Sequence, residues 1–165
     1  MKQGLLDQSC VATFDKAIKY ELGHFYLYTH LANAMQTIGY FGAQEYFLAE
    51  SKEEVQHYQK HIDFLNDLGN FTTLPTLVPE KVIPKTLEQA LKLAYDNELD
   101  LLEYYRTMYN EEGKEYPEIS EHLMFYLKTQ REAVGFYGDM LARLSLVKDD
   151  SCGILLIDKE LKKLA

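Results

Sequence analysis

Glu54 and His57 are the residues in this sequence whose types and spacing best suit chemistry. On a helix, residues three apart lie on the same face, so this Glu-x-x-His step projects a carboxylate and an imidazole together. Oxygen and imidazole donors suit iron, manganese or zinc better than magnesium. Taken alone, the step is more typical of a solvated helix face, so a metal role depends on which residues lie opposite it.

Three further polar residues, Glu21, Glu98 and Gln130, interrupt the apolar stripes of other predicted helices. Each of them, like Glu54, lies about twelve residues into its helix, so their side chains can meet inside a bundle of helices. Burying three carboxylates together is costly unless they are protonated or bind cations. Three glutamates and a neutral histidine carry a charge that two divalent cations would offset. The pattern therefore predicts a two-metal site.

The elements that must position these residues are long helices. Prolines occur at 75, 79, 84 and 117 only, which leaves two long stretches free of helix breakers. The apolar spacing predicts an all-α chain with helices over about 9–38, 42–68, 87–112 and 117–146, and a short fifth helix over about 154–163. Four helices of similar length predict a four-helix bundle over about 9–146, within a single domain over 1–165.

The connection over residues 69–86 is much longer than the other two within the bundle. Eighteen extended residues reach roughly 60 Å, the full length of such a bundle. A long crossover between the second and third helices is therefore predicted. We also expect its apolar side chains to pack on the bundle: Leu74, Leu77, Val78, Val82 and Ile83.

Charge and composition exclude several partners. The 165 residues include 17 Lys+Arg and 26 Asp+Glu, a formal charge of −9, which argues against nucleic acid or an anionic membrane surface. No apolar run approaches the ~20 residues of a membrane span. The first residues, 1–4, open no apolar signal segment. Cys10 and Cys152 form no metal motif, and free thiols favour a cytoplasmic location.

Five stretches, taken together and in order, resemble the bacterial-type non-haem ferritins, and the resemblance covers nearly the whole chain. They are Tyr20-Glu21 through Tyr28, Glu53 through His57, Asn97-Glu98, Thr129 through Glu132, and Gly153 through Leu161. The resemblance implies a catalytic, H-type subunit with two iron ions at a ferroxidase centre. The implied ligands are Glu21, Glu54, His57, Glu98 and Gln130. Glu54 would bridge the two irons, and Tyr28 would stand beside the centre.

Departures from the family pattern change what is expected of the second iron site and of haem binding. The step beginning at Gln130 continues to Ala133 rather than to a histidine, which implies a second iron site with fewer and weaker ligands. Val55 stands where bacterioferritins carry a haem-binding methionine, so no haem is expected. Accessory iron ligands remain candidates: Glu50, Glu53 and Glu132.

Two other histidines receive no ligand role from the resemblance. Glu21 and His24 form another Glu-x-x-His step, which on spacing alone fits the second motif of a symmetric site. The family has no ligand at this position, so we interpret His24 as a surface or packing residue. His61, one turn after His57, is interpreted as structural.

The expected function is iron storage with ferroxidase activity, in which Fe(II) reduces dioxygen or hydrogen peroxide and ferric mineral accumulates. The resemblance implies a homo-oligomeric shell of twenty-four subunits. The main alternative is a rubrerythrin-like di-iron oxidase or peroxidase without mineral storage, which normally needs a second Glu-x-x-His and a Cys-x-x-Cys module. A secreted helical signalling bundle is a third possibility, but it would not need buried glutamates.

Overall fold

The computed structural model describes residues 4–78 and 80–165. Residues 1–3 and Pro79 lie outside the described residues. The expectations for the N-terminal segment and for this proline therefore concern residues that the structure does not describe. Within the described ranges the chain is all-α and contains no strand. Its elements are α1 Gln8–Ile38, α2 Phe41–Asp67, α3 Leu87–Glu111, α4 Pro117–Val147, α5 Ser151–Leu161 and a short 3₁₀ helix Lys162–Leu164. The predicted bounds of the first four helices agree within one residue.

Local signals account for these helix ends. The Asp7 side chain accepts from the amide of Cys10 at the start of α1, and Thr86 accepts from the amide of Gln89 at the start of α3. Gly39 ends α1 in the left-handed region with φ 90°, and Gly69 follows α2 with φ 75°. That conformation is strained for residues with a side chain, so glycine suits both turns.

Two apolar cores fill the bundle, one on each side of a buried polar layer that consists of Glu21, Glu54, Glu98 and Gln130. On every bundle helix, the layer residue separates a segment in one core from a segment in the other. One core contains the later part of α1 and the earlier part of α2, and the other contains the reverse. The predicted interruption of each apolar stripe is thus present in three dimensions.

The crossover between α2 and α3 runs along the bundle beside α1. At one end, Asn70 accepts from the amide of Leu6 at 3.1 Å. At the other end, the carbonyl of Val82 lies 2.9 Å from Nε2 of His30, far along α1. Helices α2 and α3 therefore run in the same direction, as the long crossover predicts.

The expected packing of the crossover's apolar side chains on the bundle is wrong for most of them. Leu74, Val78, Val82 and Ile83 are 59–78% exposed, Leu77 is half-buried, and Pro84 is buried. The crossover is held largely by polar and backbone hydrogen bonds, which leave these side chains on the outside. A single chain therefore presents an apolar strip to its surroundings.

The fifth helix begins three residues earlier than predicted. Asp150 caps it by accepting from the amides of Cys152 and Gly153, so Gly153 lies inside α5 rather than before it. A Cβ at Gly153 would lie 2.8 Å from side-chain atoms of Val147, so this glycine allows a close approach to the end of α4. The buried carboxylate of Asp158 in turn accepts from the amides of Gly42 and Ala43, which ties α5 to the start of α2.

Candidate metal centre

Three carboxylates from three helices meet in the middle of the bundle. Glu21 on α1, Glu54 on α2 and Glu98 on α3 are between 0% and 4% exposed. Each comes from the point where its helix passes between the two apolar cores, so solvent does not reach it. Buried carboxylates need partners, and the groups around them define two overlapping clusters.

The first cluster consists of Glu21, Glu54 and His57, whose candidate ligand atoms all lie within 4.8 Å of one another. His57 Nδ1 lies 3.1 Å from Oε2 of Glu54 and 3.5 Å from Oε2 of Glu21. The His57 side chain is 12% exposed, so it forms the outer edge of this cluster. The Glu-x-x-His step therefore faces the interior and is joined by a carboxylate from α1.

The second cluster consists of His24, Glu54 and Glu98, again with ligand atoms within 4.8 Å of one another. His24 Nδ1 lies 3.3 Å from Oε1 of Glu98. Because Glu54 belongs to both clusters, the two candidate cation positions are adjacent. A carboxylate has two oxygens, so Glu54 is able to serve both positions at once.

Gln130 and Tyr28 are the remaining residues predicted for the site. Gln130 is 2% exposed on α4, in the polar layer. Tyr28 is fully buried, and its hydroxyl donates to Oε1 of Glu98. Tyr28 thus fixes one oxygen of a candidate ligand.

The three accessory candidates differ in position. Glu50 is largely buried, and burial together with the charges of Glu53 and Glu98 raises its pKa to about 7. Glu53 is exposed. Glu132 is also exposed and pairs with Arg131 at 3.7 Å and with Lys128 at 4.0 Å. Of the three, Glu50 is the one that is largely buried, and the charge of Glu98 acts on it.

The metal-free clusters relieve their negative charge by holding a proton. Burial raises the pKa of Glu54 well above its usual range, and the neighbouring charge of Glu21 adds to this effect. Burial also acts to raise the pKa of Glu21, but the adjacent His57 imidazole and Glu54 carboxyl group outweigh it and lower that pKa. An ionised Glu21 therefore lies beside a protonated Glu54. A divalent cation would displace that proton, because metal ligands bind deprotonated.

A hydrogen-bonded chain leads from Glu21 toward the surface. Tyr105 donates its hydroxyl to Oε1 of Glu21, His61 Nε2 lies 2.8 Å from the Tyr105 oxygen, and His61 Nδ1 lies 3.0 Å from Nε2 of His122. Since the Tyr105 proton is used toward Glu21, His61 donates from Nε2. Burial lowers the pKa of His61 to about 3, so the ring is neutral and accepts at Nδ1 from His122. These hydrogen bonds hold the Glu21 carboxylate in position.

Sequence reasoning missed two of these groups. His24 is not a surface residue: it is 2% exposed and faces Glu98. The available signal was its Glu-x-x-His spacing from Glu21, identical to that of Glu54 and His57. Tyr105 lies in an apolar stripe of α3, and nothing in the sequence distinguishes its hydroxyl from those of the other tyrosines.

Within the described residues, no helix is both long enough and apolar enough to cross a membrane.

Comparisons with known proteins identify the family. The ferritin family, described as a ferritin-like domain, matches residues 11–147. The chain is 22% identical to a probable bacterial non-heme ferritin-like protein of Haemophilus influenzae, over 98% of both chains. It is 26% identical to a bacterial non-heme ferritin of Staphylococcus aureus, over 88% of this chain and 91% of that one.

Solved structures agree on the fold. An open pore ferritin from the archaeon Archaeoglobus fulgidus superposes with a TM-score of 0.91 at 22% identity, covering 95% of this chain and 98% of that chain. An engineered closed form of the same archaeal ferritin gives a TM-score of 0.86 at 23% identity, with coverage of 95% and 96%. The resemblance and the four-helix bundle predicted from sequence are confirmed. This chain belongs to the ferritin family.

Proposed function

We propose that this chain is an iron-storage subunit that oxidises Fe(II) to Fe(III) at a di-iron centre and passes the product to a ferric mineral. The observation that carries the proposal is the pair of buried His and carboxylate clusters that share Glu54. Burying such a cluster in a protein interior is costly unless cations bind to it. Iron is the substrate that membership of the ferritin family supports.

The proposed roles combine the contacts within the two clusters with the family resemblance, which alone supplies the role of Gln130. Glu21 and His57 would bind the first Fe(II), Glu98 and Gln130 the second, and Glu54 both. Two Fe(II) together supply two electrons, which reduce one dioxygen to hydrogen peroxide or one hydrogen peroxide to two waters, with two protons taken up. Holding both ions against one carboxylate makes this a concerted two-electron reaction. Tyr28, through its hydrogen bond, would keep Glu98 oriented.

We also propose that the whole chain, 1–165, acts as one domain in a homo-oligomeric shell of twenty-four subunits. The exposed apolar side chains of the crossover support assembly, because a concentration of exposed apolar residues is typical of interaction surfaces. The exposed Leu155 and Leu156 on α5 add a second such surface. Size-exclusion chromatography with light scattering tests the shell directly, and a monomer would contradict it.

Two free cysteines support a cytoplasmic location.

The test of the activity is Fe(II) oxidation by the Glu54→Ala variant. Iron-free protein is mixed with Fe(II) in oxygenated buffer, and the ferric product is followed by stopped-flow absorbance. We expect the fast phase to fall at least about a hundredfold in this variant, because both clusters lose a ligand. Asp67→Ala is the matched control: it removes an exposed carboxylate at the far end of the same helix and should oxidise iron like the wild type. An unchanged rate in Glu54→Ala would refute the assigned centre.

A rubrerythrin-like di-iron oxidase or peroxidase is the second candidate, and the buried position of His24 favours it. With His24, the chain brings two Glu-x-x-His steps to one site, the pattern of resident di-iron sites in helix bundles. Iron loading separates the two functions. A storage protein takes up iron far beyond its binding sites and forms a mineral, whereas a resident centre stops at two ions per chain.

A further inference from the structure

The second cation position contains an imidazole that neither the family pattern nor the sequence argument assigns. His24 lies one turn after Glu21 on α1 and is 2% exposed. Among the described residues, neither of its ring nitrogens has a hydrogen-bond partner. Glu98 Oε2 is likewise buried without a partner. Leaving such groups unpaired in the interior is costly, which points to a binding partner for them.

We propose that His24 is a metal ligand and that, with Glu54 and Glu98, it forms a second cation position as rich in donors as the first. The proposal rests on the proposed function, since it concerns how the same centre holds its second Fe(II). Both positions would then have one imidazole and two carboxylates, with Glu54 common to both. The second ion would be held firmly rather than by weak oxygen donors alone.

The distances fit this assignment. Nitrogen and oxygen donors bind such cations at about 2.0–2.2 Å in a tetrahedral arrangement, so two donors of one ion stand roughly 3.4 Å apart. His24 Nδ1 already lies 3.3 Å from Oε1 of Glu98, and the candidate donor atom of Glu54 lies within 4.8 Å of both residues' donor atoms. His24 is anchored by α1 and Glu98 by α3, which sets the cluster between two packed helices.

The surroundings of His24 also suit a ligand. The backbone carbonyl of Asn97 lies near the His24 ring. With an ion on one ring nitrogen, the N–H on the other would need such an acceptor. Metal-bound histidines typically donate their second N–H to such a group.

A simpler interpretation is that His24 is a buried counter-ion for Glu98. A protonated imidazole has two N–H groups and would need an acceptor for each. The contact between His24 Nδ1 and Glu98 Oε1, at 3.3 Å, does not form a hydrogen bond. A counter-ion would also repel a cation, so the two interpretations predict opposite effects of removing the imidazole.

The test uses Zn(II), which binds such donors without redox chemistry, on the assembled full-length protein. Isothermal titration should give two tight zinc ions per chain in the wild type. His24→Ala and His24→Gln should keep one and weaken the second at least about tenfold. His30→Ala is the matched control: it removes an imidazole from the same helix that bonds only the Val82 carbonyl, and two ions should remain.

Crystals of the zinc-loaded wild type provide an independent measurement, because anomalous scattering locates each ion. We expect a second peak within about 2.1 Å of a His24 nitrogen. Two ions bound equally well in the His24 variants, tighter binding in them, or a second peak away from His24 would each overturn the proposal and leave the proposed function standing. Absence of any tight zinc in the wild type would instead refute the proposed di-iron centre itself.

Discussion

His61 should make the protein sensitive to acid, and His61→Gln should remove that sensitivity. The imidazole is fully buried and stacks on the ring of Tyr126 at 4.0 Å. Burial lowers its pKa to about 3, although the charge of Glu21 acts to raise it. The neutral ring donates from Nε2 to Tyr105 and accepts at Nδ1 from Nε2 of His122.

The size of the effect follows from the two pKa values. In the unfolded chain His61 takes up a proton near its ordinary value of 6.5, whereas in the folded chain it does so near 3. Between these values the unfolded state binds one more proton, so the free energy of unfolding rises with pH and falls on acidification. Each pH unit below 6.5 is worth about 1.4 kcal/mol, so His61 alone removes about 2 kcal/mol by about pH 5.

Thermal unfolding of the metal-free protein at neutral pH and near pH 5 measures this difference. His61→Gln should be less stable than the wild type at neutral pH, because it loses ring stacking and hydrogen bonds. It should then lose about 2 kcal/mol less on acidification. His30→Gln, which changes a histidine outside the core, should follow the wild type. Parallel losses in the wild type and His61→Gln would show that this imidazole does not stay neutral in the fold.

Two other predictions concern stability. Tyr105→Phe removes the hydroxyl that Glu21 accepts from and should lower the free energy of unfolding by roughly 1–3 kcal/mol in chemical denaturation; an unchanged midpoint would contradict the hydrogen-bonded chain. Gly42→Ala places a Cβ that overlaps the backbone carbonyl of Asp158, so it should release α5 and expose the segment before it to proteases. Gly135→Ala, which meets no atom within 4 Å, should resist digestion like the wild type.

The sequence was sufficient for the helices because their signals are local. Asp7, Thr86 and Pro117 mark helix starts by their own chemistry, and four helices end within a residue of the prediction. The start of α5 was misplaced because Gly153 resembles a stop signal. Its actual role depends on contact with Val147, which helical spacing does not reveal.

The centre was predictable in part for a similar reason. Counting residues from the helix starts places Glu21, Glu54 and Glu98 at one height, and the structure brings them into two shared clusters. Counting residues along a helix gives the height of a side chain but not which side of α1 faces α3. The position of His24 depends on that orientation. The resemblance gave His24 no ligand role, and the expectation of a surface position is wrong because the side chain is buried against Glu98.

The cost of the polar layer is itself an argument for cation binding. Apolar residues of similar volume in place of a buried charged cluster are often neutral or stabilising, so the two flanking cores would pack at least as well with leucines at these positions. In this protein, Glu54 instead holds a proton. Among the described residues, Oε2 of Glu21 and Oε2 of Glu98 have no hydrogen-bond partner. Local arrangements that oppose stability are expected at functional sites. Divalent cations would remove both penalties at once, since they displace the proton and pair the free oxygens. The increase in the free energy of unfolding on zinc binding would therefore measure how far cations relieve these penalties. That increase should be lost in Glu54→Ala.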